Sequence, residues 1–243
     1  MTETDTIQYA QIREYNFKEY FQKFQYNGKV ISDDERKEFI KGLDESLAQY
    51  SEGLPLIKEG LDNYKDNDND FLKAYRTALS VYLFVLITSI DCLVISKYFL
   101  LADKDYDKRF MRGKMKIILN EGFKKLYGFE KKTNKESEWN KLPNIIANCP
   151  ENIKRQYRDL SERLEEHSKS SSWWKKVREA ETHIVAEKLY ESRCEEIIES
   201  KVMMDSVKLF STLYAVQLFT TNVNAWFHNT TLKIYREQEA RKA

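Results

Sequence analysis

Glycine and proline are scarce: the 243-residue chain holds 7 of the first and 3 of the second. These residues break helices and shape tight turns, so their shortage points to long helices joined by short polar loops. Cysteine is nearly as rare. Cys92, Cys149 and Cys194 lie far apart and form no Cys-x-x-Cys. The first residues, "MTETDTIQYAQIREY", have neither a basic stretch nor an apolar one of signal-peptide type. A secreted disulfide scaffold is therefore excluded, and a reduced, cytoplasmic setting is expected.

Charge of one sign is also lacking, with 40 basic against 39 acidic residues. Without a global basic field, strong nonspecific nucleic-acid binding is not expected, and any RNA contact must be local. The densest basic stretch, Lys104 to Lys132, reads as the solvated faces of a helix. Phosphate-loop, dinucleotide-fold, nucleophile-elbow and His-Glu-x-x-His motifs are all missing. With 3 histidines and no Glu-x-x-His, neither a zinc site nor a carboxylate-bridged metal site is visible, and no cofactor is expected.

What the chain does have is apolar and aromatic material at helical spacing. Apolar residues make up 42%, including 13 Phe and 15 Tyr, enough for a sizeable core. In residues 5–26 the positions Ile12, Tyr15, Tyr20 and Phe24, widened by Phe17 and Phe21, predict a first helix, ended by a turn at "NGK". Ser32 with Glu35 forms a capping box that opens a second helix over 33–51, and Pro55 starts a short third one. The polar run "KDNDND" at 65–70 then divides an N-terminal helical appendage, 1–66, from a main bundle, 67–243.

The bundle begins with the most apolar stretch, 71–102, which reads as a buried central helix. Asp91, Lys97, Ser89 and Ser96 interrupt it, and Asp91 in mid-span argues against a membrane crossing. A helix over 104–127 follows, capped by Asp103 and ended by Gly128. After a polar connection, Pro143 and Pro150 bracket a short helix, and 151–168 reads as charged and weakly amphipathic. An amphipathic stretch from the serines at 170–172 to about Ile198 and a long last helix over 202–238 complete the pattern. The fold class is all-α: an up-and-down bundle of four or five long core helices, with extra N-terminal helices packed against it.

The candidate chemistry sits in "SSSWWKKVREAETHIVAEKLY", residues 170–190. On a helix wheel Trp173, Trp174, Val177, Ala180, Ile184 and Val185 form one apolar arc, with Arg178 and His183 on its two flanks. The two are about 140° apart, with Cβ atoms roughly 10 Å from each other on a regular helix. They converge on one substrate only if the helix bends or a second copy meets it across a two-fold axis. Histidine transfers protons near neutral pH, and arginine presents a planar fork to phosphate oxygens. Together they suit RNA cleavage by a neighbouring 2′-OH, with His183 moving protons and Arg178 holding the phosphate.

Arg178-Glu-Ala-Glu-Thr-His183 resembles the Arg-x(4–6)-His motif of HEPN domains. These are all-α bundles common in prokaryotic toxin–antitoxin, abortive-infection and RNA-processing systems. Residues 88–129 are also similar to the paired helices of HEPN-like bacterial proteins, and the resemblance spans roughly 70–238. It implies a homodimer with a composite cleft, metal-independent endoribonuclease activity, and an RNA substrate, with an antitoxin or another protein as partner. The chain departs from the pattern at Glu179, where active members often carry Asn, Asp or His. Glu179 and Glu181 place negative charge beside the phosphate position.

The alternative from another class is a non-catalytic helical module for protein–protein interaction, with a membrane-associated protein a third reading. Trp173 and Trp174 read as core or interface, and Asp91 as a hydrogen-bonded polar group with a Tyr, Ser or Lys nearby. Asn222, Asn224 and His228 are expected to bond between helices, and His167 to be solvated.

Overall fold

The computed structural model describes residues 32–128, 135, 137–169 and 196–242, with side chains of the last helix described from 208 to 241. The expected first helix over 5–26 and its "NGK" turn lie outside these residues. The described chain is all-α, with no strand among the described residues. Its helices are α1 (Asp33–Asn63), α2 (Asp70–Leu101), α3 (Asp105–Leu126), α4 (Leu142–Ile146), α5 (Glu151–Lys169) and α6 (Glu196–Lys242), with a 3-10 turn at Trp139–Lys141 before α4.

The start of α1 follows its sequence signal. The Ser32 hydroxyl accepts from the Glu35 backbone N–H at 3.2 Å, and the Glu35 carboxylate accepts from the Ser32 N–H at 3.0 Å. Its length does not. Where sequence predicts a break before Pro55, one helix of 31 residues runs through it. Interior proline costs about 3 kcal/mol. Leu54, Ile57 and Leu61 offset that by packing on the same core as α2.

The central role expected of α2 is met. Ala78, Val81, Val85, Leu86 and Cys92 are each at most 1% exposed, and α1, α3 and α6 all pack against this helix. By length and composition α2 could also cross a membrane, and half of its most apolar window is buried in the protein. Asn69 caps it, accepting from the Phe71 and Leu72 N–H groups. The polar side chains of α2 are absorbed locally: the Thr88, Ser89 and Ser96 hydroxyls donate to carbonyls four residues back. Lys97 pairs with Asp44 of α1 at 2.5 Å. Asp91 differs from its expectation. It lies exposed on the outer edge of α2, and partial desolvation raises its carboxyl above the usual range.

Lys104, not Asp103, is the N-cap of α3, and it makes no side-chain capping bond. Asp103 instead faces Arg36 at 3.2 Å, while the Arg36 Nε donates to the Leu100 carbonyl. This couples the end of α2 to the start of α1. At the other end Gly128 adopts φ 87°, the left-handed conformation that suits glycine, and its N–H donates to the Phe123 carbonyl. Helices α2 and α3 approach closely at Gly122, where a Cβ would come within 2.8 Å of the Thr88 methyl.

Two further segments are more deeply packed than their sequence suggests. Trp139, in the expected polar connection, is 2% exposed, stacks on Tyr157 at 4.9 Å and donates to the Ser161 hydroxyl at 2.9 Å. In α5 the residues Ile153, Tyr157, Leu160 and Leu164 form a continuous apolar stripe beneath a charged outer face. That stripe packs on α6, whose Val216, Phe219, Val223 and Phe227 are at most 2% exposed.

An aromatic cluster locks α6 to α2. Phe227 stacks on Tyr75 with ring centroids 5.4 Å apart and touches Phe71 at 5.0 Å. Burial raises the Tyr75 phenol to about 12, with Tyr64 adding a smaller push in the same direction. An acid whose folded value lies above its unfolded value near 10 stabilises the fold fully below that unfolded value. The contribution is lost as pH climbs through the folded value. Unfolding free energy is therefore expected to fall between about pH 10 and 12 by up to roughly 1.4 kcal/mol per pH unit from this residue. Urea unfolding at pH 8, 10 and 11.5 measures this. Tyr75→Phe should flatten the decline, and an equal decline in both proteins would remove Tyr75 as its source.

Candidate functional site

The two residues singled out for chemistry, Arg178 and His183, lie outside the described residues, as do Trp173, Trp174 and Cys194. What the structure describes is the frame on either side of them. Residue 169 ends α5 and residue 196 begins α6, and these two helices pack along each other.

His167, near the end of α5, is the histidine that the structure ties into this frame. It is not solvated as expected. Its Nε2 lies 2.9 Å from the Thr212 hydroxyl of α6, and its ring meets Phe123 of α3 edge-on at 6.1 Å. Thr212 donates its own proton to the Lys208 carbonyl, so the hydroxyl accepts from a protonated Nε2. His167 thus joins α3, α5 and α6 three residues before the candidate segment begins at Ser170. The clue available in sequence was its register: 153, 157, 160, 164 and 167 share one helical face.

A second group missed from sequence lies on α3. Lys116 is 5% exposed and Asn120 is 1% exposed, one turn apart in line with Leu119 and Phe123. The Arg112 Nε is buried on the same stripe. The reading of this basic stretch as a solvated face therefore fails for its inward positions. The i, i+4, i+8 spacing of 112, 116 and 120 alongside apolar positions carried that information. Neither side-chain polar atom of Asn120 has a hydrogen-bond partner among the described residues.

The asparagines of α6 behave as expected. The Asn224 amide donates to the Thr220 carbonyl at 2.8 Å and reaches the Ala78 carbonyl of α2 at 3.4 Å, while Asn222 reaches Gln156 of α5 at 3.4 Å. His228 is exposed. Cys92 and Cys149 are buried at 0% and 3% exposure, and burial pushes both thiols up, Cys149 to about 11. Neither carries an appreciable thiolate fraction near neutral pH, so neither is a ready nucleophile. Among the described residues no three of His, Cys, Asp and Glu converge as a metal-ligand set.

A concavity of about 620 Å³ lies elsewhere, between the first half of α1, the middle of α2 and α6. Phe39, Leu43, Leu93, Phe210 and Leu213 supply its apolar lining. Tyr50 and Gln217 both line its wall, and burial raises the Tyr50 phenol, with the Gln217 side chain acting in the opposite direction. Among the described residues that line it there is no constellation of nucleophile, base and orienting group.

No family model matches the chain, and neither a curated protein nor a solved structure matches it.

Proposed function

We propose that the chain is a HEPN-like bundle, up-and-down in its long core helices, that dimerises and cleaves single-stranded RNA without a metal ion. The observation that carries this reading is the Arg178-x4-His183 spacing on the flanks of one apolar-fronted stretch. The packed pair α5 and α6 supports it, because it supplies a rigid frame on both sides of that stretch.

In the proposed reaction the substrate 2′-OH attacks the adjacent phosphorus, and the bond from phosphorus to the 5′-oxygen breaks. His183 accepts the 2′-OH proton and delivers it to the leaving 5′-oxygen, so that the imidazole ends as it began. Arg178 grips the non-bridging oxygens through its planar fork and stabilises the charge they gain in the transition state. The products are a 2′,3′-cyclic phosphate and a 5′-hydroxyl. With Glu179 and Glu181 beside the phosphate position, Arg178 must offset local negative charge as well as bind substrate. The setting proposed is a cytoplasmic toxin–antitoxin or phage-defence system, with an antitoxin or another protein as partner.

Incubating the purified protein with single-stranded RNA in EDTA tests the reading. Cleavage to cyclic-phosphate ends is the expected result, and intact RNA across a range of sequences contradicts it.

One observation favours a second reading, a non-catalytic interaction module. Ile87, Tyr98 and Leu101 are 45%, 53% and 46% exposed along one side of α2, an apolar row of the kind that marks contact surfaces. That reading expects Arg178→Ala and His183→Ala to be tolerated in any functional assay.

A further inference from the structure

The concavity between α1, α2 and α6 has the form of a groove for a helix. Its lining runs along α1 from Glu35 to Tyr50, about 22 Å at the helical rise. The floor is apolar, whereas Glu35, Glu38 and Glu45 stand along one rim with Lys41 among them. Grooves of this kind take an amphipathic helix that presents anchors at i, i+3, i+4 and i+7.

The chain carries such a set immediately before α1. Phe17, Tyr20, Phe21 and Phe24 have that spacing and, on a helix, fall within an arc of about 100°. The four anchors from 17 to 24 would span about 10 Å as a helix, roughly half of the groove's length, with Ile12 and Tyr15 on the opposite side. Only 27–31 separate the predicted helix from Ser32, where α1 is capped. A helix–helix connection of that length makes the two elements antiparallel neighbours, and the groove begins at Glu35, one turn past the cap. Charge is complementary as well: Arg13, Lys18 and Lys23 against Glu14 and Glu19 leave residues 12–24 net basic opposite the glutamate rim.

We propose that residues 12–24 of this same chain dock into the groove between α1, α2 and α6, closing a helical hairpin over Phe39, Leu43 and Phe210. The surface is then an intramolecular docking site, and whatever displaces the segment exposes an apolar groove to a partner.

Gly42 gives a clean way to block the groove. It lies in the lining, and a Cβ built there meets nothing within 4 Å, so a side chain such as that of Gly42→Trp can leave the backbone freely at this point. Hydrogen exchange on the full-length protein is the readout. In the wild type the amides of 12–24 are expected to exchange at least about tenfold slower than in an unstructured peptide, the protection given by a local docking energy of roughly 1.4 kcal/mol. Gly42→Trp should remove that protection while the amides of α2 keep theirs. Phe21→Asp, placed on the segment itself, should do the same and serves if Gly42→Trp weakens α1. Peptide-like exchange of 12–24 in the wild type, or protection unchanged in both variants, overturns the proposal. Protection lost on dilution, together with a dimer that Gly42→Trp dissociates, also overturns it by placing the segment in the groove of a second copy.

Discussion

His183→Ala is expected to lower RNA cleavage by about 10²- to 10⁴-fold, the range typical of losing a positioned general acid or base. On the helix proposed for this stretch the position falls on the flank of the apolar arc, so the substitution is expected to remove a proton carrier and no core material. The melting temperature and far-ultraviolet circular dichroism should stay at wild-type values. Arg178→Ala is expected to cost about 10²- to 10³-fold, as for loss of one transition-state oxyanion donor. Arg178→Lys should recover only part of this, since an ammonium keeps the charge but not the paired N–H donors. Cleavage rates on one labelled RNA, measured side by side, check all three. Equal rates for wild type and His183→Ala would remove that residue from the reaction.

Phe227→Ala carries the largest expected effect on stability. The ring is 1% exposed, stacks on Tyr75 with planes 3° apart, and also meets Phe71 and Trp226 at 5.0 and 4.9 Å. Its removal leaves a cavity where α2 and α6 are joined, and truncation of a buried aromatic typically costs about 3–5 kcal/mol. Phe227→Leu retains most of the volume and should cost under about 1.5 kcal/mol. Tyr235→Ala, on the same helix but 54% exposed, should change stability by no more than about 0.5 kcal/mol. Urea unfolding of the three variants measures the series. A small effect of Phe227→Ala would mean that α6 is not anchored on α2 through this cluster.

Helix identity was legible in the sequence wherever a local signal sufficed. The capping box at Ser32 and Glu35 marks the start of α1, and Gly128 stands just past the end of α3, because both act through their own backbone neighbours. Features decided by distant partners were not legible. Pro55 signals a helix start by itself, yet Ile57 and Leu61 carry the helix through it because α2 is there to bury them. Asp103 has the right chemistry for a cap, but Arg36 of α1 engages it. Trp139 looks like part of a polar connection until Tyr157 and Phe219 close around it.

The candidate site divides the same way. The spacing of Arg178 and His183 is a sequence property and needs no fold to be seen. How His167 sits against Thr212 and Phe123, and how Lys116 and Asn120 turn inward on α3, depend on which faces the helices bury. Charge alone assigned those positions to solvent. Their register with Leu119, Phe123 and Leu164 placed them inside.

In the proposed dimer, Arg178 of one copy and His183 of the other act on one phosphate. Mixing equal amounts of Arg178→Ala and His183→Ala protein and allowing subunits to exchange tests it most directly. Half of the dimers are then mixed, and each mixed dimer holds one complete site, so about a quarter of wild-type cleavage is expected from two inactive proteins. A mixture as inactive as its components, with exchange confirmed by mass, would contradict it.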